Sequence, residues 1–176
     1  MLTAIFRIVR TLHLDTMPRA VGLISTPRTV YRFTDFFKGF EKIEAVRNIL
    51  GKEAEAVLQS LKVRFTWFGG YMWIDPRSKG LVISSRYLNE GDKTDVYLDL
   101  IHELVHVKQL MEGKELFDAE YDYADRPTEI EAYQAAVQEA RRLGLNDEQI
   151  CEYLKTEWMT AEDLKRLAAS AGVTCT

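Results

Sequence analysis

Two histidines and a glutamate stand close enough together in the sequence to perform metal chemistry. The segment Ile101 to His106 reads Ile-His-Glu-Leu-Val-His, which places His102 and His106 four residues apart. In a helix this spacing puts both imidazoles on one face, one turn apart, so that they can hold a single cation. Glu103 lies directly beside the first histidine. Since the chain contains only 3 histidines and two of them form this pair, we predict a metal site here.

Zinc is the ion that suits this pattern. Neutral imidazole binds Zn²⁺ well, and a catalytic zinc site has three protein ligands with a fourth position left to water. The ion lowers the pKa of that water from 15.7 to roughly 7. A carboxylate next to the first ligand can then accept the proton. We therefore predict Glu103 to be the general base of a zinc-dependent reaction.

A helix from Thr94 to Gly113 is predicted to carry this pair. Asp92 or Thr94 can cap its start, and Gly113 is typical of a helix end. About 19 residues at 1.5 Å each span on the order of 28 Å, enough to cross a small domain. The apolar residues recur at helical spacing, and they are Val96, Tyr97, Leu100, Ile101, Leu104, Val105 and Val107. We expect this helix to lie at the centre of the core.

Two histidines cannot complete a catalytic zinc site, so a third ligand is needed. No histidine follows His106, and the third ligand is therefore expected to be another residue type. A second helix, predicted from Thr128 to Leu143, offers Glu129 and Glu131. With Thr128 as the N-cap, Glu131 would occupy the third helical position and complete a capping box. Glu129 would lie in the first turn, on a face able to point at the metal. We favour Glu129 over Glu131.

Two weaker alternatives for the third ligand lie on the helix of His102 itself, where Asp95 or Asp99 would have to turn toward the histidines.

The helix predicted from Thr128 has a face of small residues formed by Ala132, Ala135, Ala136 and Ala140. Such a face permits close approach of another helix. The expected neighbour is the helix of His102.

The whole chain is predicted to form one domain of the α+β class, since 176 residues are enough to bury a core. Residues 1–61 are expected to be N-terminal helices, over 1–13, 34–50 and 52–61. Residues 62–144 would form the sheet and the metal-site core. Short β-prone runs at 63–68, 71–75 and 81–85, separated by turn residues, predict two hairpins and a small antiparallel sheet before the central helix. Residues 145–176 would be C-terminal helices, since Asn146 and Thr160 are typical helix-start residues.

The predicted strands contain four large aromatic residues, which are Trp67, Phe68, Tyr71 and Trp73. A large aromatic residue in a strand is most often part of the core, but these residues could instead line a substrate cleft. The third histidine, His13, is too isolated to be assigned as a ligand.

Composition narrows the class of protein. The chain is 47% hydrophobic and 28% charged, as in ordinary globular proteins, and its net charge of −4 argues against nucleic-acid binding.

Cys151 and Cys175 lack metal-type spacing, and with Cys175 next to the terminus we expect free thiols. The first ten residues are too short an apolar run, broken by Arg7 and Arg10, for a signal or membrane segment. We expect no membrane association and a reducing, cytoplasmic setting.

His102-Glu103-Leu104-Val105-His106, followed by Glu129-Ile130-Glu131-Ala132, resembles the gluzincin branch of the zincin metallopeptidases. In that branch a glutamate on a second helix supplies the third ligand, often at the start of a Glu-x-x-Ala-Asp segment. This maps onto Glu129 to Tyr133, with tyrosine in place of the acidic residue. The resemblance covers roughly residues 63–144. It implies a zincin-like fold, Zn²⁺ as cofactor and a peptide or protein substrate laid along a sheet edge, either 71–75 or 81–85.

The resemblance also implies a group that stabilises the oxyanion of the reaction. Tyr121, Tyr123, Tyr133 and Arg126 are the candidates in reach. We therefore predict a zinc metallopeptidase with His102, His106 and Glu129 as ligands.

Two other functions fit the same residues. One is a zinc amidohydrolase acting on a small amide, although a deformylase-like enzyme would need a cysteine ligand upstream of the helix, and none precedes Cys151. The other is a binding or regulatory protein with structural zinc or none, or an autoinhibited one in which a loop such as 114–126 covers the metal.

Overall fold

The computed structural model describes residues 30–67 and 69–175. The helix predicted over 1–13, together with His13, lies outside the described residues. So does Phe68, one of the four aromatic residues considered for a cleft. In these two ranges, none of the helices is long and apolar enough to cross a membrane.

The protein is a mixed α+β structure in which four short strands precede two long helices. The strands are β1 (Val30–Arg32), β2 (Lys62–Thr66), β3 (Met72–Asp75) and β4 (Gly80–Ser84). The helices are α1 (Phe33–Phe36), α2 (Glu44–Leu50), α3 (Ala54–Ser60), α4 (Ser85–Glu90), α5 (Lys93–Met111), α6 (Pro127–Arg142), α7 (Asp147–Leu154) and α8 (Ala161–Ser170). Short 3-10 turns lie at Phe40–Lys42, Gly51–Glu53 and Tyr123–Asp125.

The sheet is mixed, so the prediction of an antiparallel sheet was only partly right. Its strand order is β1-β2-β4-β3. The β3–β4 hairpin formed as expected, but β2 pairs in parallel with β4, with Val63 opposite Leu81. β4 is therefore an inner strand, and all five of its residues are buried. A strand buried on both faces is apolar throughout, which is the pattern of Leu81-Val82-Ile83.

The central helix was predicted almost to the residue. α5 runs from Lys93 to Met111, and the side chain of Asp92 caps it by accepting hydrogen bonds from the backbone N–H groups of Thr94 and Asp95. Apolar residues on several of its faces are buried, because it packs against α6, α2 and β3 at once. This surrounded position explains why both imidazoles of the pair are buried as well.

α6 packs along α5, as the alanine face predicted. Ala132, Ala136 and Ala140 are fully buried between the two helices. A buried polar link joins them as well. The hydroxyl of Tyr97 donates to the Glu139 carboxylate at 2.5 Å, and Arg142 donates to both oxygens of that carboxylate at 2.6 Å. A buried carboxylate needs such partners to offset its desolvation.

The N-terminal helical region is more broken than the sequence predicted. Instead of one helix over 34–50, α1 ends at Phe36 and α2 begins at Glu44, with a 3-10 turn between them. Gly39 separates the pieces with a φ of +84°, a left-handed conformation that ends a helix and that glycine adopts without steric strain. The break lets Phe33, Phe37 and Phe40 all turn into the core, where their rings contact one another. The helix expected over 52–61 is present as α3 after a short 3-10 turn.

The expectation of free thiols was wrong. Cys151 of α7 and Cys175 form a disulfide, with their Cα atoms 5.7 Å apart. The chain after α8 is not loose, because Gly172 turns it back with a φ of +78° and Val173 is buried against the helices. This return brings Cys175 to α7. The expectation of a reducing compartment rested on free thiols and loses that support.

Candidate metal centre

Three side chains from α5 and α6 meet in the interior between the two helices. Within the described ranges, His102, His106 and Glu129 form the one group of three or more histidine, cysteine or acidic residues that could hold a metal ion. Each of the three is at most 6% exposed. The i, i+4 spacing stacks the two imidazoles, and the first turn of α6 aims the carboxylate at them. Asp95 and Asp99, the alternative ligands on α5, do not join this group.

The facing atoms are spaced like the corners of a tetrahedral zinc site. His102 Nε2 lies 3.0 Å from His106 Nε2, and Glu129 Oε2 lies 3.3 Å and 3.5 Å from those two nitrogens. Ligand atoms held about 2.0–2.1 Å from one tetrahedral ion lie roughly 3.3 Å apart. Glu129 Oε2 is also buried without a hydrogen-bond partner among the described residues. Both the donor set and its spacing therefore fit zinc.

Gln109 determines which nitrogen of His106 faces the group. The amide nitrogen of Gln109 donates to the carbonyl oxygen of Thr128 and to Glu131 Oε2, both at 2.9 Å. Its amide oxygen must therefore be the atom that lies 2.7 Å from His106 Nδ1, and it accepts a hydrogen bond from the N–H at that nitrogen. In a neutral His106 the Nε2 atom then carries the lone pair that could bind a metal ion. Partners of this kind orient metal-binding histidines.

Glu131 does not complete a capping box, so the argument that separated it from Glu129 was wrong. α6 begins at Pro127, and Arg126 rather than Thr128 is its N-cap. The N-cap lies two residues earlier than predicted because proline is favoured at the first helical position. The Glu131 carboxylate instead accepts from Gln109 and from Lys114 Nζ at 2.8 Å, away from the two imidazoles.

The carboxylates in and beside this group change the proton affinity of the two imidazoles. Despite burial, the Glu129 and Glu103 carboxylates raise the pKa of His106 to about 9. Burial lowers the pKa of His102. Although burial opposes it, contact with both imidazoles holds the pKa of Glu129 below its usual range. The two carboxylates thus favour a positive charge at His106.

Glu103 lies next to this group and, with His102, lines a cleft. Its Oε2 atom is buried and has no hydrogen-bond partner in the described chain. Burial is the main reason that the pKa of Glu103 rises to about 8, and the Glu129 and Asp99 carboxylates add to the rise. His106 and the backbone N–H of Ile74 act in the opposite direction. The raised pKa makes Glu103 a stronger proton acceptor once the carboxyl group is ionised.

A cleft of about 350 Å³ opens from the metal centre to the surface. His102 and Glu103 form its floor, and β3 with the turn before it forms one side. Two of the predicted aromatic residues, Tyr71 and Trp73, line that side of the cleft, while Trp67 does not line it. Of the loop at 114–126, only Tyr123 lines the cleft.

Tyr133 and Tyr123 stand at the edge of the metal centre. The Tyr133 ring meets the His102 ring edge-on at a centroid distance of 4.4 Å. Its hydroxyl lies 2.9 Å from that of Tyr123, and both residues line the cleft. Arg126 Nη1 lies 3.9 Å from Glu129 Oε1 on the other side. Of the predicted oxyanion-stabilising residues, only the two tyrosines that line the cleft can meet a substrate there.

Comparison with known proteins identifies no relative. No family model, curated protein or solved structure matches the chain.

One part of the cleft was not predicted from the sequence. Tyr153, Thr156 and Trp158 line it, although the C-terminal segment showed no catalytic pattern. The Tyr153 hydroxyl donates to Asp99 Oδ1 at 3.1 Å, and Tyr87 donates to Oδ2 at 2.6 Å. No sequence spacing relates these residues, because they meet through tertiary packing. Gln109 was detectable, since it lies three residues after His106 on the same helix face.

Proposed function

We propose that the protein is a zinc-dependent metallopeptidase of zincin-like fold, with His102, His106 and Glu129 as zinc ligands. The supporting observation is the convergence of two imidazole nitrogens and one carboxylate oxygen within 3.0–3.5 Å of one another. No fourth histidine, cysteine or acidic residue joins the group within the described chain. A catalytic zinc site leaves one position open, whereas a structural site is closed by a fourth protein ligand.

Glu103 is the proposed general base. When bound, zinc polarises the scissile carbonyl and acidifies water. The new C–O bond would form as Glu103 takes a proton from the attacking water, and the C–N bond would break when Glu103 returns that proton to the nitrogen of the leaving amine. Its buried, unpartnered oxygen next to His102 supports this role.

β3 is the proposed guide for the substrate backbone. It ends the sheet order, so its outer edge pairs with no other described strand, whereas β4 is enclosed by β2 and β3. Met72 and Trp73 of β3 also line the cleft. An extended peptide can add to such an edge through main-chain hydrogen bonds. This observation favours a peptide over a small amide, and it supports the 71–75 run rather than 81–85 as the edge that would bind it.

The decisive experiment measures zinc content and peptide cleavage together. We expect the purified protein to bind one zinc per chain and to cleave a mixture of fluorescence-quenched peptides. A chelator should abolish cleavage, and added zinc should restore it.

Glu103→Gln separates catalysis from metal binding. The variant should keep its zinc while kcat falls by about 10²–10⁴-fold, the usual contribution of a general base. Glu162→Gln, which removes an exposed carboxylate on α8, is the matched control and should behave as the parent protein. Equal turnover of the parent and Glu103→Gln proteins at equal zinc content would exclude this mechanism. A protein that binds no zinc would exclude the proposal altogether.

A further inference from the structure

One wall of the cleft is acidic, and the proposed chemistry does not use it. Three carboxylates line this side, and we call Asp95, Asp99 and Glu152 the acidic wall. Asp95, Asp99 and His102 are spaced four and three residues apart along α5, so they share one helix face. Glu152 approaches from α7. The wall therefore begins beside the metal centre and runs away from it along the helix.

The negative charge of the wall is poorly compensated. Asp95 forms no ion pair with any described residue, and burial together with Asp92 and Glu152 raises the pKa of Asp95 to about 6. The cationic residue that lines the cleft is Lys155, whose Nζ lies 4.0 Å from Glu152 Oε2. Both side chains are more than 60% exposed, and such surface pairs are weak. A cation entering the cleft would therefore meet a favourable potential.

Unpaired polar atoms in the same cleft point to a ligand independently of the charge. Glu103 is 7% exposed, and its Oε2 atom has no partner in the described part of the chain. The hydroxyl of Thr156, which also lines the cleft, is likewise buried without a partner in the described residues. Buried polar groups are normally satisfied, so these atoms indicate that the cleft receives a polar molecule.

Aromatic rings line the same cleft. The Tyr71 ring meets the Tyr87 ring at a centroid distance of 4.9 Å and the Trp158 ring at 5.6 Å, both edge-on. All three residues line the cleft. Aromatic faces attract ammonium and guanidinium groups and pack against the aliphatic stems of lysine and arginine. The surface thus offers both parts of a long basic side chain a matching contact.

We propose that the cleft selects peptides with a lysine or arginine side chain next to the scissile bond, with the acidic wall binding the cationic head. This inference rests on the proposed peptidase function, since it concerns the substrate of the same site.

Distance favours a side chain over the amino terminus of a peptide. Asp95 precedes His102 by seven residues, which is about 10 Å along the helix axis. The α-amine of a residue lies only about 2.5 Å from its own carbonyl carbon, so it cannot reach Asp95 while that carbonyl is at the metal. Asp99 lies nearer, three residues before His102, but its two oxygens already accept hydrogen bonds from Tyr153 and Tyr87. A lysine or arginine stem extends several ångströms further. The wall thus matches the reach of a basic side chain.

A peptide series tests the proposal. The peptides carry lysine, arginine, norleucine or glutamate at each position flanking the scissile bond, and each is made with a free and with an acetylated amino terminus. We expect kcat/KM to be at least about tenfold higher with lysine or arginine than with norleucine, the range of one charge-assisted hydrogen bond. Acetylation should change kcat/KM less than twofold. A large loss on acetylation would assign the cation to the α-amine and overturn the proposal.

Removal of the wall charges gives the second arm. Asp95→Asn with Glu152→Gln should lower kcat/KM for the lysine peptide at least about tenfold and leave the norleucine peptide nearly unchanged. Glu148→Gln removes one charge from α7 outside the cleft and should leave the preference intact. Cleavage without a basic preference, or a preference that survives the double substitution, would overturn the inference but not the peptidase function.

A binding measurement keeps the inference testable if no peptide is cleaved, a result that would count against the peptidase function. Trp158 is 57% exposed in the cleft, so its fluorescence can report binding of lysine and norleucine peptides to Glu103→Gln protein. At least about tenfold tighter binding of the lysine peptide is expected. Equal affinity for the two peptides would overturn the acidic-wall assignment.

Discussion

Gln109 Oε1 and His106 Nδ1 lie 2.7 Å apart on successive turns of one helix. Because the amide nitrogen of Gln109 is committed to two acceptors, this contact fixes the tautomer of the imidazole as well as its orientation.

Gln109→Ala should weaken zinc binding without removing any proposed ligand. We expect a loss of about 10–100-fold in zinc affinity, the usual effect of deleting a partner that orients a metal-binding histidine. Competition with a chromogenic chelator measures it. Gln134→Ala removes an exposed glutamine amide that bonds to Ser170 and is the control. An affinity equal to that of the parent protein would show that Gln109 does not orient His106.

Glu129→Gln and Glu131→Gln should differ sharply in zinc content, although the two positions are only two residues apart on α6. The first substitution removes the anionic donor from the metal group and should abolish stoichiometric zinc binding. The second leaves all three proposed ligands in place and should retain bound zinc, with a smaller loss of affinity because Glu131 supports Gln109. Metal analysis after gel filtration distinguishes them. Loss of zinc from Glu131→Gln alone would reverse the ligand assignment.

Asp99 should make stability depend on pH. Burial raises the pKa of Asp99 to about 6, while hydrogen bonds from Tyr87 and Tyr153 limit the rise. A carboxyl group with a raised folded-state pKa contributes most at low pH, and that contribution is lost as the pH rises from about 4 to about 6. Relative to Asp99→Asn, the unfolding free energy of the parent protein should fall by about 1–3 kcal/mol over this range.

The measurement for Asp99 uses denaturant unfolding of chelator-treated protein at several pH values. Taking the difference between the two proteins removes the contributions of the other titrating groups. A difference that rises with pH, or that stays constant, would contradict the buried environment of this carboxyl group.

The disulfide should stabilise the fold. Cys151 and Cys175 are 24 residues apart, and closing a loop of that length in the unfolded chain is worth about 3 kcal/mol in the chain-entropy treatment. The protein with serine at both positions should therefore have a lower Tm under non-reducing conditions. Under reducing conditions the two proteins should unfold together. Equal Tm values in the absence of reductant would show that the cross-link does not form.

Local signals predicted most of the long elements. Asp92 and the regular apolar spacing defined α5, and the helix-start residues Asn146 and Thr160 cap α7 and α8 through their side chains. These features depend on residues within one or two turns of each other, so the sequence expresses them directly. The positions of His102 and Glu103 on one helix followed from the same local rule.

Features that depend on distant partners were not predictable in the same way. The parallel pairing of β2 with β4 depends on where β3 lies, and two adjacent β-prone runs look the same whether or not they form a hairpin. Helix α4 was missed because its six residues give too short a periodic pattern. The return of the chain that brings Cys175 to Cys151 depends on the burial of Val173, which no local spacing reveals.

The contact of Tyr97 with Glu139 and Arg142 has a further consequence for metal binding. It joins the two helices that carry all three proposed donors, in a region already filled by Ala132, Ala136 and Ala140. The donors are thus held in a preorganised arrangement by the core itself. An arriving ion would have to order little of the chain, so its binding energy would be spent on coordination rather than on folding.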